Sequence, residues 1–265
     1  MDWLQLFFLS LIQGITEFLP VSSSAHLILP SQLLGWEDQG QAFDVAVHVG
    51  TLMAVILAFR HEVIAIIQGW LGHVLKRRVT AESRMGWMII LATIPAALAG
   101  LMFESMIEHY TRSVLVIGVA TIVFGLVLWW ADATGSRDAD MARMSWRQAL
   151  FIGMAQMLAL IPGTSRSGIT MTAALMLGFD RQSAARFSFL LSIPLILAAG
   201  GLKAVHLVQE GNGAHWGDIF WGIGLSFISA FLCIKLFLVA LDRIGMLPFV
   251  IYRLLLGAFL LFVAL

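Results

Sequence analysis

The sequence predicts an all-α polytopic membrane protein with six transmembrane helices, two re-entrant helical hairpins and an inverted-topology repeat. Three observations carry that prediction. The 265-residue chain is 60% hydrophobic and 12% charged, whereas soluble domains run near half apolar and a quarter charged. Its mean hydropathy is +0.90, and the apolar residues fall in long uninterrupted runs. Two further runs are each broken by proline and a cluster of small polar residues.

The elements follow in chain order. The first broken run covers 4–34 and is interrupted by "PVSSS". Each half of it is too short to cross a bilayer alone, since a span needs about 20 apolar residues. Such a segment enters, turns and leaves on the same side. Spans follow at 42–59, 86–107 and 114–131. The second broken run, 146–177, carries "PGTSRSG", and spans at 183–208, 216–241 and 247–265 complete the chain.

Loop charge sets the orientation. Arg60, Lys76, Arg77, Arg78 and Arg84 follow the first span. Arg137, Arg143 and Arg147 lie between the halves, and Arg181, Arg186 and Arg243 come later. The opposite face has little beyond Arg112 and Lys203. The positive-inside rule puts the first group in the cytoplasm. The first hairpin then enters from outside and the second from the cytoplasm. Residues 1–134 and 145–265 become repeats of opposite orientation. Aligning Pro20 with Pro162 lays Ser22 and Ser23 over Thr164 and Ser165. Inverted repeats with interrupted helices place a binding site near the midplane.

Several function classes are disfavoured. Net charge is zero, so nothing electrostatic points to nucleic acid. There is no Cys/His cluster and no Walker-type loop, and a single Cys233 excludes an internal disulfide. The start "MDW" lacks a basic n-region, so the first run is expected to be retained.

The chemistry concentrates in the breaks. Gln13 and Glu17 are four apart and share a helix face. Pro20 ends that helix, and Ser22, Ser23 and Ser24 are good caps for the next. His26 falls in its first turn. In the second break Pro162 and Gly163 turn the chain, Thr164 or Ser165 caps, and Gly168 permits close approach. Two helix N-termini then aim into the membrane interior, which makes an anion site. Arg166 adds a fork suited to phosphate oxygens. Serines in a hairpin also act as caps or interhelical glue. An intramembrane Glu and Arg are functional by default, and a purely structural pair is the alternative.

Other polar residues are weaker. Asp44 and His48 either line the mouth of the site or, the plainer expectation, serve as a cap and a packed ring. Glu104, Glu108 and His109 are expected as a solvated span end rather than a metal cluster. Arg60, His61 and Glu62 resemble an interfacial stop. Lys235 and Arg253 lie deep in their spans, and snorkelling explains them only in part.

The segments "QGITEFLPVSSSAH" and "PGTSRSG" resemble the two signature segments of the bacterial undecaprenyl-diphosphate phosphatases of the bacitracin-resistance type. The resemblance covers the chain. It implies hydrolysis of a C55 isoprenoid diphosphate at the outer face of the cytoplasmic membrane. The monophosphate recycles as a carrier for wall polymers, and bacitracin resistance follows. It implies a divalent cation, Mg²⁺ or Ca²⁺. It maps catalytic roles onto Glu17, Ser23, His26 and Arg166, with Glu17 also the metal ligand. Ser22, Ser24, Gly163, Thr164, Ser165, Ser167 and Gly168 fall around the substrate phosphates. Position 13 is Gln where the fully acidic pattern has a second carboxylate, so only Glu17 supplies one there. The residues leave the nucleophile open between Ser23, His26 and water, with Ser23 favoured. Expected partners are the lipid diphosphate and the bilayer, with a homodimer open and no nucleic acid. A lipid-carrier flippase or transporter is the alternative, and a scaffold for wall-synthesis enzymes a third reading.

Overall fold

The computed structural model describes residues 2–36, 39–110, 113–210 and 216–264. The described residues form eleven α-helices and two short 3-10 turns, with no strand among them. Six helices are long and apolar enough to cross a membrane. They are α3 (Gly40–Ala58), α5 (Ala81–Tyr110), α6 (Val114–Thr134), α9 (Arg181–Glu210), α10 (Trp216–Ile244) and α11 (Leu247–Ala264). They match the six expected spans and make this a multi-pass membrane protein. The side chains of Glu104, Glu108, His109, Arg112 and Lys203 lie outside the described residues.

The two broken runs become helix pairs. The first is α1 (Trp3–Thr16) and α2 (Ser23–Leu34), and the second is α7 (Trp146–Met157) and α8 (Arg166–Met176). At about 1.5 Å per residue, the 14 residues of α1 reach well short of the ~30 Å hydrocarbon core. A capping box at Ser145 and Gln148 starts α7. The chain then turns through a 3-10 segment, Leu158–Leu160, into the second break.

One element departs from expectation. The charged stretch after α3 is itself a helix, α4 (Arg60–Lys76), entered through a bend at Phe59 (φ −110, ψ 23). Ile64, Ile67, Leu71 and Val74 are exposed along it. Their spacing of three and four residues makes one apolar stripe. The basic residues at its ends mask that stripe when the segment is read by charge.

Packing is reciprocal between the halves. α1 packs against α10, and α7 packs against α5. α3 also lies along α10, and α6 lies along α11. Close approach needs glycine at both first-helix contacts. A Cβ on Gly14 would meet Ser226 O at 2.6 Å and Ala230 N at 2.8 Å, both backbone atoms of α10. A Cβ on Gly153 would meet Ala92 Cα of α5 at 2.7 Å. Beneath the site runs a chain of aromatic rings. Phe18 packs edge-on to Phe189 at 5.3 Å, Phe189 contacts Phe59 and Phe237, and Phe237 contacts Phe249. Phe18, beside Glu17, is fully buried. The first break is thus anchored in the core by its own apolar residue.

Candidate active site

Both breaks end in the same unusual way. Ser22 (φ 74, ψ 93) and Ser165 (φ 71, ψ 114) stand immediately before α2 and α8 with positive φ. Non-glycine residues rarely hold that conformation, and it concentrates at functional sites. Each serine also bonds to the serine two residues on, Ser22 Oγ to Ser24 Oγ and Ser165 Oγ to Ser167 Oγ, both at 3.2 Å. Ser165 Oγ further accepts from Gly168 N at 3.1 Å, a true N-cap. Ser22 makes no such cap bond. The two breaks therefore correspond through Ser22 and Ser165, one position later than alignment on the prolines places them.

One cavity collects the polar residues of both breaks. Glu17, Ser22, Ser23, Ser24, Ser165 and Arg166 line it, joined by Asp44 and His48 from α3. Its apolar side is Val45 of α3, Ala159, and Leu195, Ile196, Ala199 and Gly200 of α9. The site thus has a charged floor and an oily wall. The first-turn N–H groups of α2 and α8 have no acceptor within their own helices. The two helix starts therefore bring partial positive charge to the same cavity.

Glu17 is the hub. Its Oε1 accepts from Arg166 Nη2 at 3.1 Å. Its Oε2 accepts from Gln13 Nε2 at 2.9 Å and from Ser23 Oγ at 2.8 Å. His48 Nε2 stands 3.9 Å from the same Oε2. Arg166 is fixed by a second bond, from Nη1 to Ser188 O of α9 at 3.2 Å. Its guanidinium also lies 5.9 Å from the Phe18 ring centroid, a cation–π contact. A carboxylate that accepts from a serine hydroxyl is placed to take its proton. An arginine beside both is placed to meet an anion.

The remaining expected residues stand behind the cavity wall. Ser167 Oγ donates to Leu19 O at 2.8 Å, tying the second break to the first. Gly163 and Thr164 present their carbonyls to Arg253 at 2.9 Å each. Gly168 packs on the same guanidinium. His26 sits in the first turn of α2, but its ring turns toward α11. Nδ1 bonds Ser22 O at 2.7 Å, while Nε2 bonds the Tyr252 hydroxyl. The two rings stack 5.6 Å apart at 9°. His48 is the histidine at the cavity. Its Nδ1 bonds Asp44 O at 2.7 Å, leaving Nε2 toward Glu17. Asp44 and His48 therefore line the site, against the plainer expectation of a cap and a packed ring. The signal was their i, i+4 spacing at the start of a span.

A divalent cation fits this donor set in kind. Glu17 and Asp44 line the cavity together with three serine hydroxyls of the first break. Gln13 Oε1 is buried beside Glu17 and has no hydrogen-bond partner among the described residues. Hard cations take oxygen ligands, and Mg²⁺ commonly uses one or two carboxylates plus substrate phosphates. Among the described residues no group of three His, Cys, Asp or Glu forms an all-protein cage. Most of the coordination would therefore fall to the substrate and water. Asp44 is the second carboxylate that lines the cavity, beside Glu17.

Known proteins match the chain along nearly its whole length. The family model described as bacitracin resistance protein BacA matches residues 6–259. A protein of Chromohalobacter salexigens named undecaprenyl-diphosphatase is 64% identical over 261 residues, 98% of each chain. An undecaprenyl-diphosphatase of Aliivibrio salmonicida is 57% identical over 98% of each chain. The undecaprenyl-diphosphatase 1 of Pseudoalteromonas translucida is 58% identical over 97% of each. On that coverage and identity the chain belongs to the bacitracin resistance protein BacA family.

Proposed function

We propose that this protein is an integral membrane phosphatase that converts undecaprenyl diphosphate to undecaprenyl phosphate and inorganic phosphate. The observation that carries the reading is Ser23, Glu17 and Arg166 meeting in one cavity with an apolar wall. Relatives of near-equal length carry the name undecaprenyl-diphosphatase. The monophosphate would return as carrier for wall polymers, and less free diphosphate would mean bacitracin resistance.

In this reading the diphosphate lies across the two helix starts, and the isoprenoid tail leaves along Leu195, Ile196 and Ala199. Ser23 Oγ attacks the terminal phosphorus as Glu17 Oε2, at 2.8 Å, takes its proton. The bond from phosphorus to the bridging oxygen breaks, and undecaprenyl phosphate departs. Arg166 and the first-turn N–H groups hold the charge spread over the transferring phosphoryl oxygens. Water then cleaves the phosphoserine and restores the Ser23 hydroxyl. His48 Nε2, beside Glu17, is placed to orient that water or accept its proton. His26 is turned away, which supports Ser23 over His26 as nucleophile. A divalent cation at Glu17 and Asp44 would neutralise the diphosphate.

The helix pairs are read as re-entrant hairpins of an inverted repeat. Supporting this are the matching breaks at Ser22 and Ser165 and the reciprocal packing of α1 on α10 and α7 on α5. Loop charge would then open the cavity to the outer face of the cytoplasmic membrane. The same reciprocity favours a second reading, a lipid-carrier flippase, since inverted repeats with midplane breaks are transporter architecture. Phosphate release by purified protein in detergent separates the two. Release that stops on chelation and in Ser23→Ala supports the phosphatase. Lipid movement in vesicles without phosphate release overturns it.

A further inference from the structure

Among the described residues Arg253 is the largest fully buried side chain, at 0% exposure. An unpaired cation in a membrane helix is costly and needs an explanation. Among the described residues no carboxylate pairs with it. Its guanidinium instead donates to four backbone carbonyls. Nε reaches Thr121 O of α6 at 3.1 Å. Nη1 reaches Pro20 O of the first break at 3.2 Å and Thr164 O of the second at 2.9 Å. Nη2 reaches Gly163 O at 2.9 Å. One planar group thus spans both breaks, two residues before Ser22 and one to two before Ser165.

The surroundings are shaped for it. A Cβ on Gly168 would stand 3.0 Å from Nη1, and one on Gly125 would stand 3.2 Å from Arg253 Cβ and 3.4 Å from Nε. Both glycines make room for this side chain. The loops that carry the reacting groups have few other ties to each other. Among the described residues the other hydrogen bonds between them are Ser167 Oγ to Leu19 O and those of Arg166 to Glu17. The second set would have to change when a phosphate arrives at Arg166. Arg253 would not, because all its acceptors are main-chain oxygens away from the cavity.

We infer that Arg253 is a positioning residue for phosphoryl transfer, fixing the separation of the two breaks so that Ser23 and Arg166 meet the same phosphate. It does not touch substrate. Its uncompensated charge also adds a field favouring an anion above it. The inference rests on the phosphatase reading given above. Lysine cannot replace it, since an ammonium lacks the planar fork needed to reach four carbonyls at once.

The test is turnover of undecaprenyl diphosphate by purified full-length protein in detergent, with thermal denaturation of each variant. Arg253→Lys is expected to denature within a few degrees of wild type but to lose about 10²-fold in kcat, with KM little changed. Misplacing reacting groups by about 1 Å carries a loss of that order. Gly125→Ala is the second variant, because it nudges the guanidinium from α6 without touching either break. It should lower kcat by about threefold to tenfold on the same ground. Wild-type kcat in the folded fraction of both variants would overturn the inference and leave a purely structural arginine. A wild-type protein that releases no phosphate would instead remove the phosphatase reading, and this inference with it.

Discussion

Arg166 Nη2 stands 3.1 Å from Glu17 Oε1, joining two breaks that are 149 residues apart in sequence. Both side chains are largely buried, at 12% and 7% exposure. Removing either one strands the other's charge, which typically costs about 3–5 kcal/mol. Glu17→Gln and Arg166→Met should therefore each lose both stability and activity. The double variant should recover most of the stability while remaining inactive. Thermal denaturation in detergent and phosphate release check the two halves separately. A double variant no more stable than the singles would contradict the pairing.

Ser23 should behave in the opposite way. It is partly exposed to the cavity, is not the cap of α2, and its side chain makes one bond among the described residues, to Glu17. Ser23→Ala is expected to change stability by about 1 kcal/mol or less, the worth of one such bond. Turnover should fall on the order of 10³-fold or more, as for other nucleophiles. Ser165→Ala reverses the pattern. It removes a cap worth about 1 kcal/mol and should cost stability first. Comparing kcat with melting temperature for the pair tells a reacting hydroxyl from a structural one.

These residues show how far the sequence could be read. The six crossing helices were legible because run length alone decides them. Pro and Ser clusters located both breaks, and Glu17, Ser23 and Arg166 stood out as polar groups in apolar surroundings. What escaped depends on contacts between distant segments. Arg253 was visibly deep, but its link to Pro20 spans 233 residues. His26 carried the right residue type in the right turn, and only a partner on α11 shows where its ring points. Helix α4 was hidden by charge at its ends.

His48 is predicted to matter through Glu17. Its Nε2 faces the carboxylate at 3.9 Å, and its Nδ1 is held by Asp44 O. His48→Gln should lower kcat by about 10²-fold, the lower end for a positioned acid–base group, with stability nearly unchanged because the ring is 36% exposed. Single-turnover phosphate release would show whether the loss falls on attack or on the water step. A variant with normal kcat would remove His48 from the reaction.

His26 and Tyr252 should act as one unit. The imidazole bridges Ser22 O and the Tyr252 hydroxyl, so it steadies the strained residue before Ser23. His26→Gln and Tyr252→Phe are each expected to reduce activity. Their effects should be non-additive, since side chains in one bonded chain couple by about 0.5–3 kcal/mol. A double-mutant cycle on kcat/KM measures the coupling. Strict additivity would mean that His26 works without α11.

Gly14 connects helix packing to the site. Its neighbour Gln13 donates to Glu17 Oε2 at 2.9 Å, so the depth of α1 against α10 sets where that amide points. In Gly14→Ala the new Cβ would meet Ser226 O at 2.6 Å and Ala230 N at 2.8 Å. Neither is a side chain that can rotate away, so α1 must retreat. Overpacking of this kind costs about 1–3 kcal/mol. The retreat would draw Gln13 from Glu17, and activity should fall beyond what the lost stability explains. Gly72→Ala on α4 is the control, because a Cβ there meets nothing within 4 Å. It should gain up to about 1 kcal/mol from helix propensity and leave turnover alone. If both variants keep wild-type kcat in their folded fraction, α1 is only a wall, and Glu17 holds its place without Gln13.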